Sequence, residues 1–194
     1  MRIQAMTTMA AGLGISAWAG QPAPVLDRSV TVCFVAGRYG FVRETAQPLA
    51  TKIFAEIGIR IDWRRDAQAC AGKDDAIVIS LSSETPATRL PGAWAYALPY
   101  EGTHIVVFYD RVQKTVRNDG AHYLLSYVLV HEIAHILEGV GAHSETGIMK
   151  APWDSVDYFE MARGRMRFAS WDIGLIHQGL DARKARPSSS NPHP

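Results

Sequence analysis

Apolar positions recur along this chain in two rhythms, period two and period three to four, and the change between them marks out the elements. Residues 30–35 (VTVCFV) are rich in β-branched side chains and read as a strand, closed by Gly37 and Gly40. From Thr45 to Ile57, the apolar residues Ala46, Leu49, Ala50, Ile53, Phe54 and Ile57 repeat with helical spacing. That predicts a helix with Pro48 in its first turn, where a missing N–H costs little, and Gly58 at its end. Ile59, Ile61 and Trp63 then alternate with Arg60 and Asp62, as in a half-buried strand. Residues 76–81 (AIVISL) form an unbroken apolar run that suits a central strand covered on both faces. After a polar loop at 82–92, residues 93–98 (AWAYAL) and 104–109 (HIVVFY) read as two more strands around a turn at 99–102. A long apolar helix follows at about 121–138, with Asp119 as its cap and Gly139 and Gly141 as its stop. Beyond a loop at 140–152, a short helix begins near Asp154 and another spans about 170–180.

This order predicts an α+β protein of one domain. The chain's 194 residues fit that size, and 47% hydrophobic with 20% charged residues is ordinary for a folded protein. The expected organisation is one domain over 20–180, with an upper lobe at about 29–140 and a lower lobe at about 141–180. The polar, Pro/Ser-rich segment 181–194 reads as a disordered tail. Twenty basic against 19 acidic residues leave a net charge of +1, which argues against a nucleic-acid partner. No run is long and apolar enough to span a bilayer.

The first residues carry a different message. Arg2 precedes a weakly apolar stretch of small residues, and Ala17-Trp18-Ala19-Gly20 fits a small-residue cleavage site. Residues 1–19 therefore read as an export signal, implying a secreted protein, extracellular or periplasmic; an Ala-rich terminus without a signal role is the plainer alternative. Cys33 and Cys70 fit either one disulfide, as an exported protein permits, or two buried thiols.

The chemistry concentrates in His131-Glu132-Ile133-Ala134-His135. Residues four apart share one helix face, so both imidazoles can meet one Zn²⁺. Glu132 stands beside the first ligand, placed to take a proton from water attacking a carbonyl that the metal polarises. Such a motif needs only three specified residues and also arises in helices that bind nothing. Here the helix is apolar on nearly every side, and two histidines with a glutamate are costly to bury unless paired or bound to metal. A catalytic zinc also needs a third protein ligand and an open position. His143 lies eight residues past His135, after Gly139, which can end the helix at positive φ and turn the chain back.

The stretch HEIAHILEGVGAHSETGIM resembles the metzincin clan of zinc peptidases, and most of all small secreted bacterial members related to the matrixins. The resemblance implies His131, His135 and His143 as zinc ligands, Glu132 as catalytic base, Gly139 as the turn and Met149 as the methionine beneath the metal. It also implies a twisted mixed sheet with an active-site helix and a C-terminal helix around a zinc cleft, and a protein or peptide substrate held in extended form along an edge strand, for which 93–99 or the strand after it is the candidate. The spacing departs from the clan pattern, because Glu138 holds the usual glycine position and His143 arrives two residues late. No tyrosine stands two residues after Met149, and no latency cysteine precedes the domain. Glu160 is the alternative third ligand of another zinc-peptidase type; His104, His122, His177 and His193 lack partners at ligand spacing, and Arg163, Arg165 and Arg167 read as a solvated basic face. The expected function is a secreted zinc-dependent endopeptidase. The alternative is an inactive or latent zinc-binding relative serving as a binding module.

Overall fold

β-branched residues at 29–35 give β1 (Ser29–Val35), which lies second in a five-stranded sheet of order β2-β1-β3-β5-β4. The computed structural model describes residues 28–73, 75–85, 92–97, 103–116 and 120–185. The expected export signal at 1–19, the cap Asp119, His193 and the last residues of the tail lie outside the described residues. β2 (Arg60–Arg64), β3 (Ile77–Ser82) and β5 (His104–Phe108) run parallel to β1, whereas the edge strand β4 (Ala95–Ala97) pairs antiparallel with β5.

Helices cover one face of this sheet. Val30, Val32, Phe34, Ile61, Ile77, Ile79, Ile105 and Val107 point into a core shared with α1 (Gly40–Glu56) and α3 (Ala121–Glu138). β3 is central as expected, but it is not covered equally on both faces. Ile77 and Ile79 are buried while Val78 and Ser80 are half-buried, because the opposite face carries only a small cluster of Cys33, Cys70, Ala76, Ala69 and Val78. Cys33 and Cys70 form a disulfide there, tying β1 to a 3-10 turn at Gln68–Cys70.

Three elements differ from the sequence pattern. α1 begins at Gly40, so Pro48 sits in mid-helix rather than in the first turn. Both Pro48 and Glu44, whose carbonyl loses its usual N–H partner, face outward, where water can replace the lost bond. The strand expected through Tyr109 ends at Phe108, and Tyr109 opens a short helix, α2 (Tyr109–Thr115), that buries only Tyr109 and Val112. The last helix, α5 (Ser170–Ala185), runs past the tail boundary expected at 181. Its end is fixed by an Arg28–Asp181 ion pair at 3.0 Å and by a bond from Arg183 Nη2 to the Asp75 carbonyl at 2.9 Å.

α3 is the axis of the molecule. Every residue from 124 to 137 is buried, and Ser126 Oγ bonds the Ala46 carbonyl at 3.0 Å, stitching α3 to α1. α5 packs on its other side, so closely that a Cβ built on Gly179 would lie 1.8 Å from the Leu137 carbonyl oxygen. Only glycine allows two helix backbones to meet at that distance. Below the sheet, α4 (Ser155–Ala162) starts from an Asp154–Asp157 capping box. The three nearby arginines are exposed, as expected, and each also has a partner: Arg163 lies over the Phe159 ring, Arg165 pairs with Glu160 and Arg167 pairs with Glu56.

Candidate metal centre

One helical turn separates His131 from His135, so both rings leave α3 on the same side. His131 Nδ1 lies 2.8 Å from the Ile148 carbonyl and His135 Nδ1 lies 3.1 Å from the Val140 carbonyl. A carbonyl can only accept, so each Nδ1 carries the proton and each Nε2 presents a bare lone pair. Those Nε2 atoms are 3.0 Å apart, and His143 Nε2 stands 3.3 Å from that of His135. Burial and mutual repulsion push the pKa of His131 down to about 3, and burial with the neighbouring His143 takes that of His135 to about 4. Burial lowers His143 as well. His131 and His135 thus aim bare Nε2 lone pairs at one point, and His143 Nε2 stands beside them, an arrangement that a cation between the three nitrogens would stabilise. All three ligand atoms lie within 4.8 Å of one another. Tetrahedral zinc at ordinary Zn–N distances sets neighbouring nitrogens about 3.3 Å apart, so the donor set fits such an ion.

Gly139 caps α3 in the left-handed region at φ 72°, its N–H bonded to the His135 carbonyl. The chain then returns through Val140 and Gly141 to bring the exposed His143 over the helix face. The longer spacing is shared between an extra residue of α3, Glu138, and the irregular stretch that follows Gly139. After His143 a tight turn closes, with Ser144 N–H on the Met149 carbonyl at 3.0 Å and Lys150 N–H on the Gly147 carbonyl at 3.2 Å. Met149 and Ile148 are buried in it, and the Ile148 carbonyl that orients His131 also accepts from Trp153 Nε1 at 3.2 Å.

Glu132 is buried beside the triad, and burial raises its pKa to about 8 against an opposing hydrogen bond from the Ala97 backbone. Ala97 belongs to β4, so the glutamate faces the edge strand. A cleft of about 530 Å³ runs between β4 and the 150–153 loop, lined by Trp94, Ala95, Ala97, Val128, Glu132 and the three histidines among others. Trp94 stacks on Trp153 with ring centres 5.3 Å apart, joining the two walls.

The remaining candidates stand apart from this cluster. Glu160 is held by Arg165, His104 contacts Thr103, and His122 lies on the Tyr123 ring. His177 is half-buried on α5, and among the described residues its Nδ1 has no hydrogen-bond partner. One residue near the site had no obvious sequence signal. Asp172, 2% exposed, accepts a short hydrogen bond from Ser144 Oγ, next to His143. Its trace in the sequence is positional: Asp172, Ile176 and Leu180 share one face of α5, so a carboxylate lies on an apolar stripe.

The sheet, the helix bearing two histidines and the loop returning the third define a metzincin-like α+β fold with a three-histidine metal site. Among solved structures, archaemetzincin from Methanopyrus kandleri is similar, with a TM-score of 0.54 and 20% sequence identity over 82% of this chain and 98% of that one. No family model and no curated protein matches the sequence. Among the described residues, no helix is long and apolar enough to cross a membrane.

Proposed function

We propose that this protein is an exported zinc endopeptidase that cleaves extended peptides. One observation carries the reading: three imidazole Nε2 atoms converge beside a buried glutamate, at the open edge of a sheet. Three nitrogen donors with a cleft on the remaining side suit a catalytic zinc. When bound, zinc supplies a Lewis acid that polarises the scissile carbonyl and acidifies water. An extended peptide adds to β4 by main-chain pairing, which lays its backbone across the histidines. The Glu132 carboxyl, its ionised form favoured beside a zinc ion held by the three histidines, would then take the proton of the attacking water as the C–O bond forms and return it to the amine nitrogen as the C–N bond breaks.

The Cys33–Cys70 disulfide supports export, since such bonds persist in oxidising compartments, and the small-residue site at 17–19 supplies the route. The pair His143-Ser144 followed by Met149 favours a matrixin-like variant of the fold.

Purified protein and Glu132→Ala are incubated with unfolded casein and a peptide library, with zinc measured in both. The expected result is cleavage by the wild type only, with about one zinc in each. Zinc in both and cleavage in neither would overturn the peptidase reading and favour a zinc-binding module. Neither protein holding zinc would overturn the metal centre itself.

A further inference from the structure

The first two ligands and the third are held in different ways. His131 and His135 ride on a buried helix, and each ring is fixed by a backbone carbonyl. His143 is exposed on an irregular segment, and among the described residues no hydrogen bond fixes its Nδ1. The position of its ring is therefore set by the backbone beside it, and that backbone is pinned at Ser144. The Ser144 N–H bonds the Met149 carbonyl, the residue forms a β-bridge with Lys150, and its hydroxyl donates to Asp172 Oδ1.

Asp172 is well placed to act as an anchor. It is almost wholly buried, and its Oδ2 accepts from the Ala169 N–H at 3.3 Å, which fixes the carboxylate against the start of α5. Glu138, at the end of α3, is close enough to feel its charge: burial first, and Asp172 second, raise the Glu138 pKa to about 8. The contact of Gly179 with Leu137 locks α5 to the helix that carries the first two ligands. Asp172 therefore belongs to the same rigid frame as His131 and His135.

We infer that Asp172 and Ser144 are positioning residues for the metal centre, holding the loop so that the His143 ring meets the point set by His131 and His135. The inference rests on the three-histidine metal reading. Its step beyond that reading is that the third ligand is referred to the first two through α5, not through its own connecting loop.

The test uses the full chain loaded with cobalt(II), whose visible absorption reports ligand geometry, and with zinc titrated against a chromophoric chelator. Wild type is compared with Ser144→Ala, Ser144→Thr and Asp172→Asn. Ser144→Ala is expected to bind zinc about 10- to 100-fold more weakly, with an altered cobalt spectrum. Ser144→Thr, which keeps the hydroxyl, should restore both. Asp172→Asn should resemble Ser144→Ala; if it fails to fold, the serine pair decides the matter. Ser144→Ala with wild-type affinity and spectrum would overturn the inference while leaving the metal centre standing. Ser144→Thr as impaired as Ser144→Ala would also overturn it, since bulk rather than the hydroxyl would be at issue. Wild type that takes up neither metal would overturn this inference and the metal centre together.

Discussion

The helical half of the metal site and its loop half are built by different means. His131 and His135 are brought together by the pitch of α3 alone, and fourteen buried residues in a row hold that helix in place. His143 depends on a left-handed glycine, an irregular return and the bond of its neighbour Ser144 to Asp172, 28 residues beyond that serine. The first half is local chemistry that survives in any well-packed helix, whereas the second is tertiary and exists only when α5 has docked. The two halves should therefore fail differently.

The largest effect is expected at the ligands. His135→Ala should remove stoichiometric zinc, while His143→Ala should leave a weaker site on the i, i+4 helical pair. One zinc ligand is worth on the order of 3 kcal/mol, so isothermal titration of both variants separates these outcomes readily. Equal and complete loss in both would remove the distinction between the halves. Next comes the back of the sheet. Replacing Cys33 and Cys70 by serine opens a loop whose closure is worth about 3–4 kcal/mol, measured as a fall in denaturant midpoint. Zinc affinity should stay unchanged, because that cluster lies on the face away from α3.

Gly139→Ala comes third. An added Cβ meets no atom within 4 Å, so the cost is the left-handed backbone alone, about 1–2 kcal/mol in chemical denaturation. A larger loss would mean that the cap supports more than its own turn. The last effect is a pH-dependent one at Glu138, absent in acid and growing as pH rises. Its folded pKa of about 8 lies above the ordinary carboxyl value, so the unfolded chain releases this proton first as pH rises. Folded stability is therefore eroded between about pH 4.5 and pH 8 and levels off above. Glu138→Gln does not titrate, so its Tm in zinc-free protein should match wild type near pH 4 and exceed it by on the order of 10 °C near pH 8.5. A gain of the same size at both pH values would remove the carboxyl's ionisation as the cause.

The same division explains what could be read in the sequence. HExxH lies within five residues and one helical turn, so its geometry follows from periodicity, and Gly139 is legible because a helix must end somewhere the chain can reverse. β1, β2, β3 and α3 were legible from alternation or long apolar runs. α2 was not, because Tyr109 continues the apolar run of β5, and seven residues burying two side chains show no periodicity. The start of α1 was misplaced because Pro48 looks like a first-turn residue unless one knows that its side faces water. The last turn of α5 was hidden for a related reason: Asp181 and Arg183 look like a solvated tail, and their partners Arg28 and Asp75 lie far away in the chain. Asp172 shows the limit most clearly, since a carboxylate near a helix start reads as an ordinary dipole partner until Ser144 is seen against it.

The contact between Gly179 and Leu137 also has a consequence for the order in which the molecule comes into being. All three histidines leave the ribosome before any residue of α5 does. A nascent chain stopped at residue 169 carries every ligand but lacks both the helix that backs α3 and the carboxylate that holds Ser144. The site thus reaches its full geometry only after α5 has been made and has docked, so metal is held most tightly after all three ligands have already emerged.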